Sequence, residues 1–129
     1  MTRQRSTEVE KGLYRRHADF CKVLSHPTRL QIIDILHDRE MTVTDLAGQL
    51  QVAIGNLSQH LNLMKQRRVL ESRKEGNTVI YRLANPKMTK ACGLIREILF
   101  EQMQQDNALF RRMDRSPAFR QGLHSGRER

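Results

Sequence analysis

Two amphipathic segments separated by only three residues place the strongest constraint on the fold of this chain. Residues 42–50 and residues 54–67 each carry apolar side chains at the spacing of one helical face, and only residues 51–53 lie between them. The apolar residues of the two segments are Leu46, Leu50, Leu57, Leu61 and Met64. Thr42 or Thr44 is the expected N-cap of the first segment. The pattern predicts two short helices joined by a tight turn.

A β-hairpin is predicted directly after this helix pair. Residues 69–73 (VLESR) and 78–83 (TVIYRL) are expected to form two antiparallel strands joined by the sequence KEGN. Gly76 and Asn77 tolerate the positive φ angles of a tight turn. Because this is the only β signal in the sequence, the expected fold is mainly α with one hairpin.

Further amphipathic helices are predicted on both sides of this unit. The first runs from Thr7 to Leu24, the second opens at Pro27, and the last follows Pro86. Their apolar stripes are Val9, Leu13, Phe20 and Leu24 in the first, Leu30, Ile32, Ile33 and Leu36 in the second, and Met88, Cys92, Leu94, Ile95, Ile98, Leu99 and Met103 in the last. Together these stripes are enough for one small core.

The charge of the chain limits its partners. Its 129 residues carry a net charge of +9 and both ends are basic, which fits nucleic acid, an anionic membrane or an acidic protein. The apolar runs are far shorter than the roughly 20 residues that cross a bilayer, and the polar start has no signal-peptide core. We therefore expect a cytoplasmic protein without a membrane segment. Its expected parts are a flexible basic N-terminus at 1–6, a folded domain at 7–110 and a basic, disordered tail at 111–129.

A helix pair followed by a hairpin matches a helix-turn-helix with a wing, whose second helix lies in the major groove of DNA. The outer face of that helix has to form hydrogen bonds without negative charge, because phosphates flank the groove. The candidate groove residues are Asn56, Ser58, Gln59 and His60, and the candidate wing residues, on phosphate or in the minor groove, are Arg73, Lys74 and Asn77. Glu75 is an electrostatic mismatch there. Taken alone, such a polar face is equally compatible with simple exposure to solvent.

The order and spacing of these elements add specificity. From about Phe20 to Met103 the sequence resembles the winged helix-turn-helix repressors of the ArsR/SmtB family, most specifically in LSHPTRLQI and LSQHLNLM. The resemblance implies a homodimer that packs through its first and last helices. It also implies that the two recognition helices bind a palindromic operator in double-stranded DNA, and that an inducer releases the repressor.

The metal sites of that family do not carry over residue by residue. Members that sense arsenic or cadmium have Cys-Val-Cys at the start of the third helix, where this chain has Thr42, Val43 and Thr44. Hydroxyl groups are poor ligands for soft metals. Zinc-sensing members use ligands along the last helix, and the matching residues here are Asn85, Lys87, Ile98 and Glu101. Because only Glu101 among them can coordinate, we expect neither metal site and no cofactor.

Cys21 and Cys92 are the candidate sensing residues. They fall near the end of the first helix and near the start of the last, which the resemblance places at the dimer interface. A disulfide or sulfur-chain bridge between them would change interface packing, so a thiol, reactive-sulfur or redox signal is the favoured inducer. The alternatives are a soft metal or metalloid bound by both cysteines with His17, and simple packing of the two thiols.

Other functions are less compatible with the sequence. It has no Gly-rich phosphate loop, no His-Glu-x-x-His motif and no set of nucleophile, base and orienting group, so we do not expect an enzyme. Six aromatic residues are too few for a base-stacking sheet that binds RNA. A winged-helix protein that binds DNA constitutively, without an inducer, remains as an alternative.

Overall fold

The computed structural model describes residues 7–106 and 111–113. Their elements are α1 (Glu8–Val23), α2 (Pro27–Ile35), β1 (Met41–Thr42), α3 (Val43–Leu50), α4 (Ile54–Gln66), β2 (Leu70–Glu75), β3 (Thr78–Leu83) and α5 (Lys87–Gln105). The predicted helices and hairpin are therefore confirmed. The predicted N-terminal segment 1–6 and most of the predicted tail lie outside the described residues. Within the described part of the chain, no helix combines the length and apolar character needed to cross a bilayer.

The helices begin where local chemistry predicts. Thr7 and Glu10 form a capping box at the start of α1, in which each side chain accepts from the other residue's backbone N–H. Pro27 occupies the first turn of α2, and Thr42 rather than Thr44 caps α3 by accepting from the backbone N–H of Asp45 at 3.1 Å. These caps mark where α1, α2 and α3 begin.

The turn between α3 and α4 is as short as predicted. Gln51 ends α3 in the left-handed conformation, with φ at +56°, and Ala53 then precedes α4. The core forms directly around this turn, since Leu46 of α3 and Leu57, Leu61 and Met64 of α4 are completely buried. The tight turn and the shared core together fix α4 against α3.

One predicted core residue of α2 is on the surface. Ile32, Ile33 and Leu36 are at most 1% exposed, but Leu30 is 42% exposed. With about 3.6 residues per turn, the face centred on the three buried residues leaves Leu30 at its edge. The prediction that Leu30 belongs to the buried stripe is therefore wrong.

The sheet has a third strand that the sequence analysis missed. β1 pairs antiparallel with β3, and β3 pairs antiparallel with β2, so the strand order is β1-β3-β2. A strand of two residues is too short to show an alternating pattern, which is why it gave no β signal. Since Thr42 lies opposite Ile80 in the sheet and also caps α3, one residue joins the hairpin to the helix pair.

The hairpin turn is tighter than predicted. Glu75 lies opposite Thr78, so Gly76 and Asn77 alone form the turn and Lys74 belongs to β2. Gly76 has φ at +62°, whereas Asn77 is not among the residues with positive φ. A left-handed residue at the first turn position is the pattern of a type II′ turn, where glycine is preferred. Of the two turn residues that tolerate a positive φ, only Gly76 adopts one.

The apolar faces of α1 and α5 are uncovered over much of their length. Val9 and Leu13 of α1 are 83% and 64% exposed. In α5, all of which is described, Cys92 is the one buried residue, and the side chains of Leu94, Ile95, Ile98 and Leu99 are 48–56% exposed. A contiguous set of large apolar side chains left in solvent marks an interaction surface.

Candidate nucleic-acid interface

The outer face of α4 has the polar character predicted for a groove-reading surface. Asn56 and Gln59 are exposed, and Ser58 is half-buried. None of the thirteen residues of α4 carries a carboxylate, and Lys65 is its one lysine or arginine. Because phosphates flank the major groove, a face of amides and hydroxyls without negative charge can approach base edges. The tight turn after α3 leaves the first residues of α4 at the surface, and Ile54 there is 47% exposed.

His60 differs from the other candidate groove residues because it is half-buried and hydrogen-bonded to another side chain of the protein. Its Nδ1 accepts a hydrogen bond from Nε of Arg29 at 3.2 Å, and its ring lies against His26 with centroids 4.5 Å apart. Burial, followed by the neighbouring His26 and Arg29, lowers the pKa of His60. A direct contact between His60 and DNA stays a prediction. Within the protein, this side chain already accepts a hydrogen bond from Arg29.

Two of the three candidate wing residues are accessible to a DNA phosphate. Lys74 and Asn77 are exposed near the tip of the hairpin, and Lys74 has no ion-pair partner among the described residues. Gly76, between them in the turn, has no heavy atom within 4 Å of the position a Cβ would take, so the tip is open. Both side chains are therefore accessible at the tip of the hairpin.

Arg73, the third wing residue, is held by two carboxylates. Its Nη1 donates to Glu40 at 2.6 Å and its Nε donates to Glu75 at 3.0 Å. The hydrogen bond from Arg73 lowers the pKa of Glu40, and the two carboxylates, Glu40 first, raise that of Arg73. All three side chains are substantially exposed, so solvent screens these pairs. A phosphate contact by Arg73 stays a prediction, and it requires an exchange of partners.

The two cysteines differ sharply in access. Cys21 is exposed, whereas Cys92 is 8% exposed and lies in the core cluster. Burial raises the pKa of the Cys92 thiol, because the thiolate would lose its hydration. Cys21 therefore lies outside the core of a single chain, and burial disfavours the thiolate form of Cys92.

The described residues contain no group of three or more histidine, cysteine or acidic side chains that could hold a metal ion. Thr42, which stands where cadmium-sensing relatives are expected to have a ligand, uses its hydroxyl to cap α3. Glu101 is exposed on α5. The surface formed by α4 and the wing presents polar and basic side chains.

Sequence reasoning missed two residues that position this surface. Arg29 reaches α4 across 31 residues of sequence, and Glu40 reaches the wing across 33. Neither spacing leaves a periodic or local signal. Arg29 stands inside the LSHPTRLQI segment, but the sequence of that segment does not say what its side chain contacts.

Comparison with known proteins gives the surface its context. Residues 24–73 match a family model described as a helix-turn-helix domain. The HTH-type transcriptional regulator Rv0081 of Mycobacterium tuberculosis, itself named as uncharacterized, is 33% identical over 88 residues, which are 67% of this chain and 77% of that protein. The cadmium resistance regulatory protein CadC of Listeria innocua is 37% identical over 70 residues, covering 54% of this chain and 59% of the relative.

Solved structures agree with these sequence matches. The crystal structure of Rv0081 superimposes with a TM-score of 0.67 at 30% identity, covering 73% of this chain and 95% of the other. The solution structure of Mb0332 from Mycobacterium bovis has a TM-score of 0.69 at 25% identity, covering 78% of this chain and 93% of the other. Mb0332 is described as a homodimeric winged helix-turn-helix DNA-binding domain of a possible ArsR-family regulator. With α3 and α4 as its helix pair and β2 and β3 as its wing, the present chain belongs to the winged helix-turn-helix DNA-binding transcriptional regulators of the ArsR/SmtB family.

Proposed function

We propose that this chain is a homodimeric repressor that binds a palindromic operator with α4 in the major groove. The observation that carries the proposal is the exposed, carboxylate-free face of α4, which begins directly after the tight turn from α3. Amide side chains on such a face pair with base edges, and with adenine in a bidentate manner. In this arrangement Asn56, Ser58 and Gln59 contact bases, and His60 supports them.

The wing supplies contacts that do not depend on sequence. Lys74 and Asn77 bind the phosphate backbone beside the groove, and Arg73 joins them when a phosphate displaces Glu40 or Glu75. The DNA-binding and dimerisation domain spans residues 7–110, and the basic segments 1–6 and 111–129 add attraction to DNA through charge alone.

Dimerisation follows from the uncovered apolar faces. Val9 and Leu13 on α1 and the four exposed apolar side chains of α5 remain in solvent in a single chain. Burial against a second copy removes them from water, and a two-fold axis then places two copies of α4 on the two half-sites of a palindrome. Dimerisation and operator binding are thus one proposal.

A fluorescence anisotropy titration tests this function. A labelled duplex from the DNA upstream of the coding sequence is titrated with reduced protein at fixed salt, with a scrambled duplex of equal length as control. We expect the upstream duplex to bind at least about 1,000-fold tighter than the scrambled one. Equal affinity for the two duplexes would contradict sequence-specific repression and leave a non-specific DNA-binding protein.

The inducing signal is the second part of the proposal. Cys21 is exposed and Cys92 is buried, so Cys21 is the thiol that meets a sulfur donor or oxidant first. A bridge to Cys92 would then join α1 to α5, the two helices of the proposed interface. The same two cysteines, with His17, are the ligands in the alternative of a soft-metal or metalloid signal, and constitutive binding is the alternative without a signal.

Treatment of the protein–operator complex with a sulfane-sulfur donor distinguishes these signals. A thiol switch predicts a loss of affinity of at least about tenfold, or roughly 1.4 kcal/mol, that Cys21→Ser and Cys92→Ser each abolish. A chelator has no effect on that response. Unchanged affinity after the donor, followed by release on addition of a thiophilic metal, would favour the metalloid alternative.

A further inference from the structure

A small polar cluster joins three helices on the inner side of α4. Arg29, in the first turn of α2, donates from Nη1 to the backbone carbonyl of Val23 at 3.0 Å and from Nε to His60 at 3.2 Å. Val23 is the last residue of α1 and is 5% exposed, and His60 lies in the middle of α4. One guanidinium therefore connects the end of α1 to the recognition helix.

The planar fork of arginine is what makes this bridge possible. Its nitrogen atoms donate in fixed directions from one rigid group, whereas the three N–H donors of a lysine share one nitrogen. The bridge is also supported from the side, because the ring of His26 packs against that of His60. His26 is itself held, since its Nδ1 accepts from the backbone N–H of Thr28 and caps α2. These contacts from α2 therefore add to the apolar packing that holds α4 in place.

We infer that Arg29 and His60 are positioning residues for DNA recognition, and that the neutral form of His60 is the form that holds the recognition helix in its reading orientation. This inference rests on the proposed operator binding. The contact with Arg29 requires an unprotonated Nδ1, because a protonated nitrogen cannot accept. Protonation at Nδ1 would thus break the bridge and place a cation against the guanidinium.

The surroundings of His60 disfavour its charged form. The titratable and charged groups that face it are His26 and Arg29, and no carboxylate is paired with it among the described residues. Burial and these two neighbours lower its pKa below the ordinary value of about 6.5. A histidine with a lowered pKa stabilises the folded arrangement above its ordinary value, and that stabilisation is lost as the pH falls through the lowered one. Operator affinity is expected to fall in the same range.

The test compares two substitutions of His60 and one of Arg29, Arg29→Lys. His60→Asn keeps an acceptor oxygen close to the position of Nδ1 but cannot titrate, whereas His60→Ala removes the acceptor. His37→Asn, at a histidine paired with Asp38 outside the cluster, is the matched control. Affinities for the operator and for a scrambled duplex are measured by anisotropy between about pH 5.5 and 8, and urea denaturation reports whether each variant is folded.

We expect the specific affinity of the wild type to fall by at least about threefold from the alkaline to the acidic end, with little change for His60→Asn. At the alkaline end, His60→Asn binds within about threefold of the wild type, and His60→Ala and Arg29→Lys are each about tenfold weaker. His37→Asn follows the wild type throughout. Binding to the scrambled duplex does not distinguish the His60 variants from the wild type.

Two results would overturn the inference while leaving the proposed function intact. One is a wild type whose operator affinity rises on acidification relative to His60→Asn, as expected of a histidine that binds phosphate directly. The other is Arg29→Lys with the specific affinity of the wild type. A wild type with no preference for any operator over the scrambled duplex at any pH would instead overturn the proposed function, and this inference with it.

Discussion

Two groups of helices carry apolar stripes of the same helical period in different environments. The inner unit consists of α2, α3 and α4, and the outer helices are α1 and α5. In the inner unit Ile32, Leu46 and Leu61 are completely buried. In the outer helices Leu13 is 64% exposed and Ile98 is 53% exposed. The difference shows that periodicity predicts that a face will be covered, but not which molecule covers it. The inner unit completes its core within the chain, and the outer helices are completed by a second copy in the proposed dimer.

The largest effect is expected from truncation inside the buried unit. Leu61→Ala leaves a cavity beside Leu57 and Met64 and should lower the free energy of unfolding by about 2–5 kcal/mol, measured by urea denaturation. The matched variant Leu99→Ala on α5 should change stability by an amount that depends on protein concentration, since its covering atoms belong to another chain. If Leu61→Ala and Leu99→Ala lowered the free energy of unfolding equally at every protein concentration, the difference between the inner unit and the outer helices would be contradicted.

A charge on the uncovered face tests the other half of the comparison. Ile98→Asp occurs twice in a symmetric dimer, and we expect it to weaken dimerisation by at least about a hundredfold, or roughly 2.7 kcal/mol, in sedimentation experiments. Operator affinity should fall with it, while the circular dichroism of the monomer is retained. The control is Lys90→Asp, at an already charged and exposed position of the same helix. An unchanged dimer in Ile98→Asp would place the interface elsewhere.

Within the inner unit, the reading helix and the wing should respond differently. Gln59→Ala should lower specific affinity by about 1–3 kcal/mol and leave binding to a scrambled duplex unchanged, because it removes a base contact. Lys74→Ala should weaken both and reduce the salt slope by roughly one, because it removes a phosphate contact. The same titrations at several salt concentrations measure both quantities. Parallel losses in the two variants would refute this division of roles.

The smallest effect is expected at the link between the wing and the loop before β1. Glu40→Gln should leave the unfolding midpoint nearly unchanged, because its pair with Arg73 is exposed and screened by solvent. Non-specific DNA binding should become slightly tighter, with a salt slope steeper by up to roughly one, since Arg73 is then less neutralised. A weaker and flatter salt dependence would instead mean that Glu40 orients the wing for DNA.

Most of the local structure was predictable from short-range signals. Pro27 marked the start of α2, residues 51–53 marked the turn before α4, and Gly76 marked the hairpin. The candidate groove residues Asn56 and Gln59 are exposed on α4 as predicted. The strand β1 was not predictable, because its two residues are too few for an alternating pattern and its partner lies about forty residues away in β3.

The partners of the charged and polar site residues were not predictable in the same way. The contacts of Arg29 with His60 and of Arg73 with Glu40 join residues more than thirty positions apart. The sequence analysis assigned His60 and Arg73 to DNA contacts, and the structure shows each of them hydrogen-bonded to another side chain of the protein. The difference arises because a polar side chain in a sequence has many possible partners, and packing selects among them.

By itself, the sequence determined the identity and order of the helices and of the hairpin, and the polar, carboxylate-free character of α4. These properties depend on residues within one or two turns of each other, so local propensity and periodicity are sufficient. Only the tertiary structure decided that Cys92 is buried and Cys21 exposed, that Arg29 joins α1 to α4, and that the apolar faces of the outer helices lack a partner in one chain. Those outcomes depend on how distant elements pack, which short-range patterns do not encode.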